Sequence, residues 1–255
     1  MMRRLSRVWA MTDRRAIHSH SAYVLHSQPY RETSLLLDTF TRSHGRVSMI
    51  ARGARRPRSV MRGVLLEFQP LALAWFGKGE IRTLTRAEWL GGSPLLRGEA
   101  LMCGYYLNEL IVRLLPREDA HELLFDSYQI TLLALGNCAP SAPTLRAFEK
   151  ALLAELGYAL SLARDSASGA AVDPGGFYRY DPELGPVALG DSEGQTLPEG
   201  APVVRGQTLL DMANDDFSSP RTLSESKSLM RALIGRRLDY RPLSSRRVFQ
   251  DLLEL

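Results

Sequence analysis

The sequence predicts an α+β protein, in which a small closed barrel of five strands is followed by a helical domain with a loop-rich insert. Three observations support this prediction. Apolar residues alternate with a period of two between residues 21 and 90, and recur with a helical period from residue 96 onward. Residues 164–206 are instead rich in Gly, Pro, Asp and Ser. A chain of 255 residues is long enough for two modest domains.

Five short strands explain the period of two. In residues 46–52, the side chains of Val47, Met49 and Ala51 face one way and the polar ones mostly face the other. Because no helical pattern interrupts the strands, we expect them to close into a small barrel. The other four strands are predicted at 22–27, 33–41, 65–76 and 80–89, with turns at 28–31, 43–45 and 77–79.

Helices are predicted after the GGSP sequence at residues 91–94. Apolar residues recur every three or four positions in segments 96–114, 124–135 and 145–156, which is typical of packed helices and predicts a bundle. A further helix is expected to begin at a capping box formed by Thr222 and Glu225, and a last one near Ser244. Within the insert, only residues 175–180 resemble a strand.

Positive charge is concentrated in the first part of the chain. Residues 1–92 contain 16 Lys and Arg against 6 Asp and Glu, whereas residues 93–255 contain 16 against 22. Fifteen of the first 16 cations are Arg, the side chain that forks onto phosphates and stacks on bases. A solubilising surface, with a coding bias toward Arg, is the alternative explanation. That bias would enrich both parts of the chain alike.

The strongest functional signal is the Arg-rich segment 52–62, which has no acidic residue. So many guanidinium groups cannot enter a core without partners, so we expect an exposed, mobile loop that suits a polyphosphate backbone. Arg82 and Arg86 are spaced to share one face of the last strand, about 13 Å apart. The predicted nucleic-acid contacts are Arg31, Arg42, Arg46, Arg52, Arg55, Arg56, Arg58, Arg62, Arg82 and Arg86.

Aromatic residues of the strands have two possible roles. Tyr23, Tyr30, Phe40 and Trp75 could stack on bases exposed by a single strand, as in other small barrels that bind nucleic acid. Each could equally belong to the barrel core, since aromatic side chains supply much of the apolar surface that folding buries.

No catalytic or metal-binding signature is present. The chain lacks a phosphate-binding GxxxxGK[ST] loop, a GxSxG elbow and an HExxH pair, and only His18 and His20 approach the spacing of metal ligands. Cys103 and Cys138 do not form a disulfide framework, which fits a reducing cytoplasm. No apolar stretch is long enough to span a bilayer. Residues 1–20 read as a flexible extension.

Several segments resemble the RecO family of bacterial recombination mediators, and the similarity extends over nearly the whole chain after residue 20. The resemblance implies an OB-fold at 21–92 and a helical domain at 93–255. It also implies binding of single- and double-stranded DNA, annealing of complementary strands, and help in loading RecA onto DNA coated with single-stranded DNA-binding protein (SSB). The implied partners are RecR and the acidic C-terminal tail of SSB. The similar segments are 22–34 (AYVLHSQPYRETS), 38–48 (DTFTRSHGRVS), 51–57 (ARGARRP), 156–162 (LGYALSL) and 232–246 (ALIGRRLDYRPLSSR).

The insert departs from the family pattern. Where many relatives have four zinc-ligating cysteines, this chain has RDSASG at 164–169 and FYRY at 177–180. We therefore expect no metal and no cofactor. The insert must then be held by packing, to which Phe177, Tyr178 and Tyr180 are candidates, or be poorly ordered.

An SSB tail requires an apolar groove with a cationic rim. The expected partner-binding residues are Arg113, Arg117, Arg146, Lys150, Arg231 and Arg237. The alternative is that these cations only complement helix C-termini. At the level of the whole protein, two other functions stay open: an RNA-binding barrel module, and a carboxylate–metal enzyme that would turn over nucleic acid.

Overall fold

A computed structural model of the protein describes residues 17–189, 202–245 and 247. These residues form two compact units. The barrel unit contains the described residues up to Leu96 together with Leu107–Asp126, and the helical unit contains Arg97–Tyr106 and the described residues from Ser127 onward. The predicted extension lies outside the described residues as far as residue 16, and most of the predicted last helix does so as well.

Five strands form a closed barrel in the order β1-β2-β3-β5-β4, which confirms the α+β prediction and its N-terminal OB-type barrel. Strands β3 and β5 pair in parallel and the other pairs are antiparallel. The interior is filled by apolar side chains such as Leu37, Met49 and Trp75, each at most 1% exposed. The strands are β1 (Ile17–Tyr30), β2 (Ser34–Thr41), β3 (Gly45–Ala51), β4 (Leu71–Phe76) and β5 (Ile81–Trp89).

Three strand boundaries differ from the prediction. Strand β1 continues to Tyr30, because residues 28–30 of the predicted turn 28–31 pair with β2. Strand β1 begins at Ile17, four residues earlier than the predicted barrel, because its first half pairs with β4 and only its second half with β2. Strand β4 begins at Leu71 rather than residue 65. The residues before it form a short 3-10 helix, Val60–Gly63, followed by turns that place Leu65 in the core.

The first three helices agree closely with the predicted stripes, whereas the fourth follows directly on the insert and was not predicted. The helices are α1 (Gly98–Leu114), α2 (Glu122–Gly136), α3 (Ser141–Glu155), α4 (Gly206–Ala213) and α5 (Pro220–Arg237). The predicted capping box is wrong, because α5 begins at Pro220 and Thr222 and Glu225 lie inside it. Their side chains serve tertiary contacts instead: Thr222 donates to Asp211, and Glu225 accepts from the Arg205 amide.

Part of the helical sequence belongs to the barrel unit. The Asn108 amide of α1 donates to the Leu25 carbonyl of β1 at 2.8 Å, and this bond is buried. The ring of Phe125 in α2 lies 5.5 Å from that of Tyr23 and 5.3 Å from that of Phe40. Segment Leu107–Asp126 therefore covers one side of the barrel, and this side is closed to ligands.

The insert contains a three-stranded sheet in the order β7-β6-β8, formed by β6 (Phe177–Asp181), β7 (Gly185–Ala188) and β8 (Val203–Arg205). Only β6 was predicted. In the part of the chain that the structure describes, no helix is long and apolar enough to cross a membrane.

Candidate nucleic-acid interface

The Arg-rich segment 52–62 is anchored at one end of the barrel. Ala54 is completely buried, and Met61 and Val64 pack against the barrel core beside Leu65. The Arg55 amide donates to the Thr33 carbonyl at 2.9 Å, which ties the segment to the turn between β1 and β2. Ala54 and Met61 thus point inward, whereas Val60 and the guanidinium groups of the segment lie outside.

These guanidinium groups are free of carboxylates. Arg52, Arg55, Arg56, Arg58 and Arg62 are all exposed, and within the described parts of the chain none of the five forms an ion pair. Arg55 donates only to backbone oxygens, among them the Glu32 carbonyl at 3.3 Å. Unpaired guanidinium groups raise the local potential and attract phosphates.

The neighbouring turn extends this surface. Arg31 is exposed, and its guanidinium carbon lies 5.3 Å from the ring centroid of Tyr30, which is partly buried. Such a stacked pair offers both a charge and a planar group to a nucleotide. We call the combined surface the cationic face; it consists of Tyr30, Arg31, Arg52, Arg55, Arg56, Arg58 and Arg62.

The structure places Arg46 in the interior, where it cannot reach a phosphate. It is 7% exposed, and its two terminal nitrogens donate to the Leu115 carbonyl at 2.8 Å and to Asp38 at 2.9 Å. Its predicted role in DNA binding is therefore corrected: Arg46 joins segment Leu107–Asp126 to the barrel. The local sequence pattern could not show this, because the segment that covers Arg46 is distant from it in sequence.

Arg42 and Arg82 also form bonds with segment Leu107–Asp126. Arg42 forms a two-pronged hydrogen bond with Asp126, at 3.1 and 2.7 Å, and a salt bridge with Glu122. The Arg42 guanidinium lowers the pKa of the Asp126 carboxyl. Arg82 donates to Glu118 at 2.6 Å and to the Gly77 carbonyl at 3.1 Å. Both are therefore left out of the cationic face.

A β-bulge separates Arg82 from Arg86. Leu84 pairs with Trp75 and Arg86 pairs with Ala74, so Thr85 is an extra residue between two successive pairs. The bulge reverses the alternation, and Arg86 does not share a face with Arg82 as the even spacing predicts. Arg86 remains 66% exposed and forms an ion pair with the exposed Glu88 two residues further along β5.

The aromatic residues considered for base stacking fall into two groups, one in the barrel core and one on the surface. Tyr23, Phe40 and Trp75 are each at most 1% exposed and belong to the core, which leaves Tyr30 on the surface. Sequence reasoning missed Trp89, which is 59% exposed and donates from Nε1 to Gln69 at 3.1 Å. Its position as the last residue of the predicted strand 80–89 was the available signal.

The predicted partner-binding cations are divided between the two units, with Arg113 and Arg117 in the barrel unit and the others in the helical unit. Arg113 bonds Glu109 on its own helix and Arg117 is exposed. In the helical unit, Arg146 is 9% exposed and bonds Glu149, while Lys150 pairs with Asp215. Arg146 is thus buried away from any partner, and Arg231 is exposed.

Arg237 lines a cavity of about 300 Å³ in the helical unit. Its guanidinium carbon lies 3.3 Å from the ring centroid of Tyr158. Leu160 and Leu184 also line this cavity, and Leu184 is 69% exposed. Ser161 and Glu183 line it as well, so the cavity combines apolar side chains, a cation and polar groups. An apolar surface beside a cation is what an acidic peptide with apolar terminal residues needs.

In the insert, a buried carboxylate holds the segment for which the family resemblance implies zinc ligands. Asp165 is 6% exposed and accepts hydrogen bonds from the amides of Ser168 and Ala188, both at 3.0 Å, and from the Ser168 hydroxyl. Tyr178 and Tyr180 are buried as expected, but Phe177 is 46% exposed. Asp165 and the groups that donate to it are not the four thiolates of a tetrahedral zinc site.

Across the described ranges, no three His, Cys, Asp or Glu side chains are grouped to hold a metal ion. The His18 side chain, one of the two histidines singled out from the sequence, lies outside what the structure describes. His20 lies beside the Ser43 hydroxyl, 2.9 Å from Nδ1.

Comparison with known proteins follows the two-part architecture. A model of the N-terminal part of recombination protein O matches residues 15–92, which contain the barrel, and a model of its C-terminal part matches residues 95–247. The chain belongs to the RecO family. The RecO family is a family of DNA repair proteins, so this member is a DNA repair and recombination protein.

RecO proteins of three bacteria are similar over almost their full length. The DNA repair protein RecO of Azoarcus sp. strain BH72 is 55% identical over 96% of this chain and 100% of its own. That of Dechloromonas aromatica is 54% identical with the same shares. That of Cupriavidus metallidurans is 48% identical over 99% of this chain and 83% of its own.

Proposed function

We propose that this RecO-family protein is a mediator that binds single- and double-stranded DNA, anneals complementary strands, and assists RecA loading on SSB-coated DNA. One observation supports this most strongly: five exposed guanidinium groups without carboxylate partners stand on a segment anchored by the barrel core. Family membership supports the recombination context.

DNA binding by the cationic face depends on phosphates. Each guanidinium that approaches the backbone releases condensed counterions, so affinity is gained without reading the base sequence. Tyr30 and Trp89 add planar surfaces on which unpaired bases can stack. The face therefore favours unpaired strands, whose bases are accessible, while phosphate contacts also permit binding to duplexes.

Annealing has a simple electrostatic basis. Two complementary strands repel each other through their phosphates, and guanidinium groups on a common protein reduce this repulsion. The protein needs no cofactor for this step, because pairing itself supplies the free energy once the strands meet.

Partner binding is assigned to the helical unit. We propose that the SSB tail binds in the cavity beside Arg237 and Tyr158, where Leu160 and Leu184 suit its terminal apolar residues and Arg237 suits the acidic ones. RecR is proposed as a partner from the family alone.

The test is annealing of complementary oligonucleotides coated with the cognate SSB. The wild-type protein should accelerate annealing, and R237E should lose this acceleration on coated strands while still annealing naked ones. A fluorescent SSB-tail peptide should bind the wild type and not R237E. Binding to DNA without any acceleration would leave only a generic nucleic-acid-binding module, and stronger binding to RNA would favour the RNA alternative.

A further inference from the structure

The small sheet of the insert has one covered face and one open face. Tyr178, Tyr180 and Val204 are at most 4% exposed and form the covered face. Because side chains alternate along a strand, Phe177 and Arg179 of β6 belong to the opposite face. In register beside them lie Arg205, opposite Phe177, and Val203, opposite Arg179.

This open face combines an exposed ring with two cations. Phe177 is 46% exposed, and the guanidinium carbon of Arg205 lies 4.6 Å from its ring centroid. Arg179 is about 7 Å from Phe177 along the strand, at roughly 3.4 Å per residue. Val203, 40% exposed, completes the surface.

The nearby carboxylates are used elsewhere. Asp181 accepts hydrogen bonds from the amides of Glu183 and Leu184, and Glu225 accepts from the Arg205 amide and the Thr208 hydroxyl. No ion pair involves Arg179 or Arg205 in the described part of the chain. The charge of Asp181 still acts on Arg179, whose guanidinium helps to lower the pKa of that carboxyl, so the two guanidinium groups are available to a ligand with one carboxylate nearby.

We propose that this open face, formed by Phe177, Arg179, Val203 and Arg205, is a second binding site for a single nucleic-acid strand. A base would stack on Phe177 and on the guanidinium plane of Arg205, and a phosphate would pair with Arg179. Charge complementarity favours this occupant: the face offers two unpaired cations and an exposed aromatic ring.

The inference rests on the proposed function and adds a binding site for the second of the two DNA strands that are annealed. The cationic face of the barrel holds one strand, and the open face of the insert holds its complement. Annealing then requires both surfaces, whereas binding of one strand requires only the first.

The test compares two double variants of the full chain that each lose two positive charges. R179A/R205A should slow annealing of naked complementary oligonucleotides by about tenfold, because it removes one phosphate contact and one stacking plane, while one-strand affinity changes by less than about twofold. The control R221A/K227A removes two exposed cations of α5 and should anneal at the wild-type rate. Thermal melting verifies that each variant is folded.

Phe177 allows a sharper test of stacking. F177L keeps an apolar side chain without an aromatic face, so it should slow annealing as much as F177A; a merely structural ring would be rescued by Leu. Irradiation with an oligonucleotide containing 5-iododeoxyuridine should crosslink Phe177 in the wild type.

Each failure has its own signature. Wild-type annealing by R179A/R205A with no crosslink in the sheet overturns the second site and leaves the barrel site intact. Crosslinking at Phe177 with undiminished binding by R55A/R56A/R58A would overturn the barrel site instead. Protection of the open face by an acidic SSB-tail peptide, but not by an oligonucleotide, would assign it to a protein and overturn the inference.

Discussion

At the scale of single residues, Gly45 fixes how the helical segment meets the barrel. It lies at the start of β3 with φ of +61°, and a Cβ built on it would lie 1.7 Å from the Asp119 carbonyl oxygen. Both the left-handed backbone and this close approach require the absence of a side chain.

Substitution of this glycine should therefore be costly. G45A is expected to lower the free energy of unfolding by about 2–4 kcal/mol, because backbone strain adds to displacement of the Asp119 backbone. G63A is the matched control, since Gly63 has no positive φ and open space around its Cβ position. Denaturant titration measures both. Equal stabilities of the two variants would show that segment Leu107–Asp126 is not held against β3.

Asp165 is a single residue whose side chain holds the insert together, as Gly45 determines how segment Leu107–Asp126 meets the barrel. Its pKa is lowered, first by the Ser168 hydroxyl and then by the amides of Ala188, Ser168 and Ala167. A carboxyl whose folded-state pKa is depressed contributes stability above its unfolded pKa, about 3.9, and loses that contribution as the pH falls through the folded value.

We expect D165A to destabilise the protein by about 2 kcal/mol at neutral pH, because several partly buried hydrogen bonds lose their acceptor. D165N keeps the shape but not the charge, so its deficit relative to the wild type should shrink as the pH falls below about 4. Thermal melting between pH 3 and 7 measures this. A deficit that is constant over this range would show that the ionised carboxylate is not what holds the insert.

At the scale of elements, the bulge in β5 gives two similar arginines opposite roles. Arg82 is 18% exposed and bonds Glu118, whereas Arg86 is 66% exposed on the other face. No sequence pattern marks this bulge, which is why even spacing predicted a shared surface.

The two arginines form a matched pair of variants. R82A should lower stability by about 1 kcal/mol through loss of a partly buried ion pair, with DNA affinity unchanged. R86A should leave stability unchanged and weaken DNA binding about twofold to threefold at low salt, as expected for one peripheral phosphate contact. Melting curves and oligonucleotide titrations distinguish them. The reverse assignment would mean that the bulge does not reorient the strand.

At the scale of the whole molecule, periodicity predicted the barrel and the helical stripes because each depends on local alternation of apolar residues. It did not predict that Leu107–Asp126 belongs with the barrel, since contacts such as Asn108 to Leu25 join distant positions. Contacts of the same segment also determine which arginines are left for DNA, because they engage Arg42, Arg46 and Arg82. The exposure of segment 52–62 was predictable, because five guanidinium groups have no acidic neighbour in the sequence.

Interleaving of the units also determines how the protein should be tested. A fragment that begins near residue 94 would separate Leu107–Asp126 from the barrel strands that it covers. Division of labour between the two units is therefore best examined with substitutions in the full chain.

The most direct test of the central claim is the salt dependence of single-strand DNA affinity. The six arginines of the cationic face predict a slope of log K against log salt near −4, at about −0.7 per phosphate. R55A/R56A/R58A should reduce its magnitude by one to two units, to roughly −2 or −3, and weaken binding to all sequences alike. A wild-type slope flatter than about −1, or an unchanged slope in the triple variant, would contradict binding by the cationic face.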